Sequence, residues 1–447
     1  MVALVVSTLA TAVALIGGSQ LTAGSYFVAL LVAYGAFAVL MLALRQPGGV
    51  RAWPLVVAGG VLMIVALVRP PIESTDAWSY ASYGRMVVVH HESPWKHEPA
   101  DHPHDVYTHR VSPLWRETPS VYGPAFIVPT VGVMAVAGEN TTIARLGFQL
   151  LAALSISLAL LLVGRETDWN PAAMAILAVN PLVPLCLVNA GHNDAWVGVL
   201  LLGAVLLVKR EHWVWAGVAV AVAAMVKVTA LLALVALAAW AWRHAGRRAA
   251  AKLTVSGALA SLAMVVAAGG EEVVRAMRWN SWRMTSGNLW SWASAWMFRE
   301  FGRGAHRLNQ GRLATLAVLL VLSLAGFLVA RHRRASHPAL LVGLTVIAYA
   351  SVGAYVQPWY VAWGLIPLAL CPRAPTTRLL VGVGGLLELA TVPNVQLMSH
   401  SSSLWRPALR SASLMQAALP WMLAVIAGAV VVIGMVRWRD GSVVSGE

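Results

Sequence analysis

The chain of 447 residues is short of charge, of acidic groups and of cysteine. Only 11% of its residues are Asp, Glu, Lys or Arg, against roughly 25% in a soluble domain, too few to clothe an ordinary globular core. The two cysteines, Cys186 and Cys371, both lie in apolar runs, which gives neither a disulfide framework nor the ligand spacing of a zinc site. Tandem repeats of fixed period and low-complexity linkers are missing too, so solenoids and flexibly tethered domains are not expected. Acidic residues number 18 against 32 basic, a net charge of +14. The basic residues are scattered through connectors between apolar runs, where they read as topology signals and lipid-headgroup contacts; nucleic acid is not an expected partner.

What fills the chain instead is apolar sequence, 59% of all residues. A helix needs about 20 residues to cross about 30 Å of hydrocarbon. The runs predict spans at 2–18, 25–44, 53–69, 145–163, 172–189, 195–208, 213–225, 228–242, 253–269, 312–330, 338–354, 359–371, 378–395 and 413–436. The shorter ones imply tilt or partial crossing. Residues 2–18 have no positive segment before them and a second apolar run after, so they read as a first span, not a cleaved leader. The expected fold is therefore an all-α polytopic membrane protein, one membrane domain over 1–447 with about 14 transmembrane helices. Short basic connectors at Arg45 and Arg51, Lys209-Arg210, Arg243 to Lys252, Arg331 to Arg334, Arg373 and Arg378, and Arg437 and Arg439 read as cytoplasmic. That puts both termini inside and two long loops, 70–121 and 270–311, outside. The stretch 122–138 is apolar but carries Pro124 and Pro129; it reads as a partly embedded segment of irregular backbone lining a cavity.

Five groups of residues are candidates for chemistry. Asp76 follows the third span closely and begins an amphipathic stretch with Tyr80, Tyr83 and Arg85; it is suited to accept a proton from an attacking sugar hydroxyl, or simply to cap a helix starting at Ala77. His192, Asn193 and Asp194 lie between two apolar runs, where ionisable groups usually face a cavity or one another; a polar turn with Asp194 as cap is the plainer alternative. Lys227 is a single cation in an apolar stretch, placed to meet a lipid phosphate or to snorkel to the interface. Gln357, Trp359 and Tyr360 suit a saccharide or an interfacial aromatic belt, and Trp279, Trp282, Asn288, Trp290 and Trp292 share that ambiguity. Six histidines (His90, His91, His97, His102, His104 and His109) crowd the first loop with Asp101 and Asp105, but their spacing matches no metal-binding pattern, and neither metal nor cofactor is expected.

Taken in order, D-A-W-S-Y-A-S-Y-G-R at 76–85, S-P-W at 93–95, P-S-V-Y-G-P at 119–124, N-P-L at 180–182, G-H-N-D at 191–194, Lys227 and P-W-Y at 358–360 cover residues 70 to 360. This set resembles the GT-C fold membrane glycosyltransferases, and within them the actinobacterial polyprenol-phosphate-mannose-dependent mannosyltransferases. The resemblance implies a GT-C-like helical bundle in the bacterial plasma membrane with its site facing outward. It implies that Asp76 is the catalytic base and that transfer from a β-linked mannosyl phosphate proceeds with inversion. Lys227 or Arg85 would then offset charge on the leaving phosphate, with Tyr122 and His192 to Asp194 lining the cavity. The implied partners are a polyprenyl phosphate sugar donor, a cell-envelope glycan or glycolipid acceptor, and membrane lipid. The sequence departs from the family's frequent Pro-Tyr at Pro94-Trp95, which bears on acceptor choice. Two alternatives stand beside this reading: a related transferase using an arabinofuranosyl donor, and a transporter of lipid-linked sugars. The latter usually shows two matching halves, which the sequence lacks.

Overall fold

The structure is a computed structural model that describes residues 1–391 except 22, 46–50, 280–282 and 286–288. The expected span 413–436, Arg437 and Arg439, the end of 378–395, and Trp282 and Asn288 lie outside the described residues, as does the side chain of Trp279. Among the described residues the protein is all-helical, with several apolar helices.

Helices α1 (Val2–Gly17), α2 (Ala23–Ala43) and α3 (Ala52–Val68) pack together at the N-terminus. The first long loop follows, carrying α4 (Asp76–Val88) and the single turn α5 (Pro113–Arg116). Helix α6 (Pro124–Ala137) packs on α4 and on α7 (Thr141–Glu166). Next come α8 (Pro171–Ala178), a π-helical turn at Val183–Asn189, α9 (Asp194–Lys209) and α10 (Trp213–Val226). Helix α11 (Leu231–Ala267) consists of two helices meeting at Gly246, whose φ of 84° breaks the ladder where the basic connector was expected. The second loop holds α12 (Glu271–Trp279) and leads into α13 (Leu289–Arg331). Helices α14 (Pro338–Val352), α15 (Ala362–Leu368) and α16 (Pro375–Thr391) complete the described chain.

Five of the expected spans lie in the four helices that, among the described residues, are long and apolar enough to cross hydrocarbon: Gly24–Ala43, Thr141–Glu166, Val228–Ala267, which holds both 228–242 and 253–269, and Arg312–Arg331. Five more apolar helices are shorter. The expected span 172–189 is broken, its two pieces bent by 49°. Pro181 and Pro184 explain the break, because neither supplies a backbone N–H to continue the ladder. The stretch 122–138 differs from expectation: it is a continuous helix, not irregular backbone. Pro124 stands in the first turn, where its missing N–H costs nothing, and Pro129 is accommodated further along.

These breaks position the site. The end of α3 is clamped by side chains from elsewhere: Gln149 Nε2 donates to the carbonyls of Ala66, Arg69 and Asn189, and Asn189 Nδ2 to those of Ala66, Arg69 and Pro70. Asn189 Oδ1 also accepts the Ile72 N–H at 3.0 Å. The short link to Asp76 is therefore held on both sides by buried hydrogen bonds.

Candidate active site

Asp76 is the first residue of α4, and the capping alternative does not hold: Thr75 precedes the helix and no side chain caps it. The carboxylate turns instead toward a cavity of about 530 Å³. Burial pushes its pKa up to about 6, with Lys227 and the Ser74 side chain pulling it down and Asp194 adding to the rise. Asp194 is likewise the first residue of α9, with no capping bond. Its Oδ1 accepts from Lys227 Nζ at 2.8 Å and from the Trp363 indole N–H at 2.7 Å.

Lys227 owes its place to a break between α10 and α11, where its backbone is extended. Its ammonium lies 3.9 Å from the centre of the Tyr360 ring, with the rings of Trp363 and Tyr122 at 5.3 and 6.0 Å. His192 is fully buried, stacked on Trp359 at 3.9 Å, and its Nδ1 stands 3.6 Å from Asp76 Oδ2 and 4.0 Å from Asp194 Oδ2. Gly191 permits this turn with a φ of 68°. Gly123 does the same for Tyr122, since a Cβ there would meet the Met225 carbonyl oxygen at 2.6 Å. Trp95 fixes that segment from the other side, its indole N–H donating to the Tyr122 carbonyl at 2.8 Å. The Pro-Trp departure thus has a structural use.

The structure sorts the expected site residues into three groups. Asp76, Tyr122, Lys227, Trp359 and Tyr360 line the cavity. Tyr80, His192, Asn193 and Asp194 stand behind this wall. Several of their buried polar atoms have no hydrogen-bond partner among the described residues: both His192 ring nitrogens, the Asn193 side-chain amide and Asp194 Oδ2. Tyr83 and Arg85 are not brought to the cavity. Tyr83 donates to the Thr118 carbonyl at 3.1 Å, and Arg85 donates to Asp105 at 2.5 Å and to the Gly138 carbonyl at 3.1 Å. Arg85 therefore does not share the cavity-facing position of Lys227.

The sequence missed other cavity residues. Arg283 reaches in from the second loop, donating to the Leu114 carbonyl and the Thr118 hydroxyl and lying 4.3 Å over Trp115. Tyr349, Tyr355 and Trp115 line the cavity as well. Trp363, three residues beyond the P-W-Y motif, was not singled out in the sequence and stands behind the cavity wall on Asp194. Trp290 is a tie to α14, its indole N–H donating to the Val352 carbonyl. Three of the crowded histidines pair with carboxylates, His90 with Asp105 at 3.2 Å, His97 with Asp101 at 3.3 Å and His102 with Glu92 at 2.8 Å. Away from the cavity, Glu73, Cys186 and Glu388 hold donor atoms within 4.8 Å of one another, a set capable of holding a metal ion. Cys186 and Tyr26 donate to Glu73, at 3.0 and 2.6 Å, and Tyr34 donates to Glu388.

Comparison with known proteins gives this geometry a family. The family model described as alpha-(1->6)-mannopyranosyltransferase, N-terminal domain, matches residues 1–245. A probable alpha-(1->6)-mannopyranosyltransferase of Mycolicibacterium smegmatis is 28% identical over 377 residues, covering 71% of this chain and 66% of the relative. Alpha-(1->6)-mannopyranosyltransferase A of Mycobacterium tuberculosis is 27% identical over 347 residues, covering 72% and 65%. The enzyme of the same name from Corynebacterium glutamicum is 30% identical over a shorter stretch of 179 residues. The chain thus spans about two thirds of the length of the mycobacterial relatives it matches. With a family model matched over more than half its length, the chain is a helical membrane protein that belongs to the alpha-(1->6)-mannopyranosyltransferase family.

Proposed function

We propose that this protein transfers a mannosyl residue from a polyprenyl phosphate donor to a glycan or glycolipid acceptor on the outer face of the membrane. The observation that carries the reading is the placement of Asp76. It is the only carboxylate among the described residues lining the cavity, and Lys227 and Arg283 are the cations there. Asp194 is fully buried and engaged by Lys227 and Trp363, whereas the Asp76 side chain is 23% exposed. A volume of about 530 Å³ lies within the usual range for small-molecule sites.

In this reaction Asp76 takes the proton of the acceptor hydroxyl as its oxygen attacks the anomeric carbon. The bond from that carbon to the phosphate oxygen breaks, and the polyprenyl phosphate leaves with the electron pair. The developing charge falls next to the cations, which stabilise it more as it grows. Inversion of a β-linked donor gives an α-mannoside, and the names of the relatives support a 1,6 linkage. Trp359 and Tyr360 offer the ring faces on which a sugar packs.

The test supplies membranes carrying the chain with synthetic polyprenyl phosphate mannose and a mannoside acceptor, and determines the product's linkage by NMR. An α-1,6-mannoside is the expected product. No mannosyl transfer, or transfer only from the arabinofuranosyl analogue of the donor, would overturn the reading.

A further inference from the structure

His192 differs from the other polar groups of the site: it reaches Asp76 from behind the cavity wall. Its ring is fully buried, yet Nδ1 stands 3.6 Å from Asp76 Oδ2. Three constraints fix the ring there. Gly191 allows the turn with its φ of 68°. The His192 backbone N–H donates to the Leu187 carbonyl at 3.0 Å, which closes the turn after the π-helical segment. The imidazole itself lies flat on Trp359, with 18° between the ring planes. Asp76 is less constrained: its side chain is 23% exposed, and its carboxylate can turn where the imidazole cannot. The surroundings also decide the tautomer. Burial, with Lys227 adding to it, holds the His192 pKa well below the usual histidine range, so the ring is neutral and carries one proton. Two carboxylate oxygens, Asp76 Oδ2 and Asp194 Oδ2, lie on the Nδ1 side at 3.6 and 4.0 Å. A lone pair on Nδ1 would face both, so the proton belongs on that nitrogen.

We propose that His192 is a positioning residue for the base: its Nδ1–H donates to Asp76 Oδ2 and holds the carboxylate with Oδ1 turned toward the acceptor hydroxyl. The proposal rests on the reading of Asp76 as the base. The 3.6 Å separation exceeds an ordinary hydrogen bond by about half an ångström, which a small turn of the Asp76 side chain closes. Asp194 Oδ2 is the weaker claimant on this proton. It is farther away, and Asp194 is already held through Oδ1 by Lys227 and Trp363. Asp76 and Lys227 are thereby tied to one another through His192 and Asp194. His192 touches neither donor nor acceptor, so its contribution is to the geometry of the attack and not to binding.

The test compares two variants of the full chain. His192→Phe keeps a flat ring on Trp359 but has no N–H, whereas His192→Asn gives up the ring and keeps an amide N–H close to the position of Nδ1. Two readouts are taken: kcat and KM for mannosyl transfer, and the ionisation of Asp76 followed by infrared difference against Asp76→Asn. Lys227 and Asp194, the charged groups acting on Asp76, are unchanged in both variants. Loss of a donor to the charged form makes ionisation harder. In His192→Phe the Asp76 midpoint should therefore rise by about one pH unit, and kcat should fall about 10 to 10²-fold with KM nearly unchanged. In His192→Asn the midpoint should stay at its wild-type value and part of kcat should return. An unmoved midpoint in His192→Phe at wild-type thermal stability would refute the proposal. So would an equal rise in both variants, which would reduce His192 to packing. Should His192→Phe fail to fold, the His192→Asn midpoint decides alone, and a rise there of about one unit counts against the bond. The infrared readout needs no turnover, so the His192–Asp76 bond is tested even in a chain that transfers no mannose. Transfer with an unmoved midpoint refutes only the bond.

Discussion

Lys227–Asp194 and Arg85–Asp105 are both buried ion pairs near α4, and they differ in what surrounds them. Around Arg85–Asp105 the polar groups are matched. Asp105 accepts from the Tyr107 N–H at 3.0 Å and from Arg85, with His90 close by, while Arg85 also donates to the Gly138 carbonyl. Burial raises the Asp105 pKa, yet the Tyr107 amide and the Arg85 guanidinium outweigh it and hold the carboxyl below its usual range. Around Lys227–Asp194 the matching is incomplete: the His192 ring nitrogens, the Asn193 side-chain amide and Asp194 Oδ2 are left without hydrogen-bond partners among the described residues, and Lys227 faces the cavity. A satisfied network fixes a fold, whereas buried polar groups left unmatched beside a cavity are the features expected of a site that completes itself with a ligand. By this difference we read the first pair as a brace for the loop and propose the second as part of the chemistry.

The comparison can be broken in several ways. The largest expected effect is that of Asp76→Asn, which keeps the shape of the residue while removing the base. Transfer should fall about 10² to 10⁴-fold with thermal stability unchanged. Next, Asp105→Asn leaves the Arg85 charge buried without its partner and should cost about 3–5 kcal/mol of stability while the folded fraction keeps its turnover. The sign with pH follows from a depressed carboxyl. Its stabilisation is present above the unfolded pKa and is lost as pH falls through the folded one, so denaturation curves of the variant should lose part of their acid limb. Equal loss of turnover in the folded fraction would place this pair in the site.

If Lys227 meets the leaving phosphate as proposed, Lys227→Met should reduce transfer about 10² to 10³-fold. It also strands Asp194, so the double variant with Asp194→Asn should recover stability without recovering transfer. Recovery of both would reduce Lys227 to a structural counter-ion. The smallest effect is expected from Trp359→Ala, which removes a sugar platform and the stack on His192; KM for the acceptor should rise about tenfold or less, with kcat nearly unchanged.

Much of this was legible in the sequence, because the signals are local. Apolar runs gave the helices, and Asp76, His192–Asp194, Lys227 and Trp359–Tyr360 stood out as polar or aromatic breaks in them. Pairings across long separations were not legible. Arg85 and Lys227 are both single cations in mostly apolar surroundings, and only the fold shows that one is taken up by Asp105 while the other faces the cavity. Arg283 was hidden in a tryptophan-rich loop whose residues read equally well as an interfacial belt. Glu73, Cys186 and Glu388 meet across more than a hundred residues with no spacing to announce it. The break at Gly246 falls in the basic connector expected between two spans, whereas the break at Pro181 interrupts a span expected to be continuous over 172–189, and the bend there is set by packing.

The most direct test of Asp76 as the base is the pH dependence of kcat/KM for the wild-type enzyme. The base must be ionised to accept the hydroxyl proton, and its pKa is raised to about 6. The rate should therefore be level above that value and fall about tenfold per pH unit below it. A profile with no break in that region, at a pH where the protein remains folded, would contradict the assignment of Asp76.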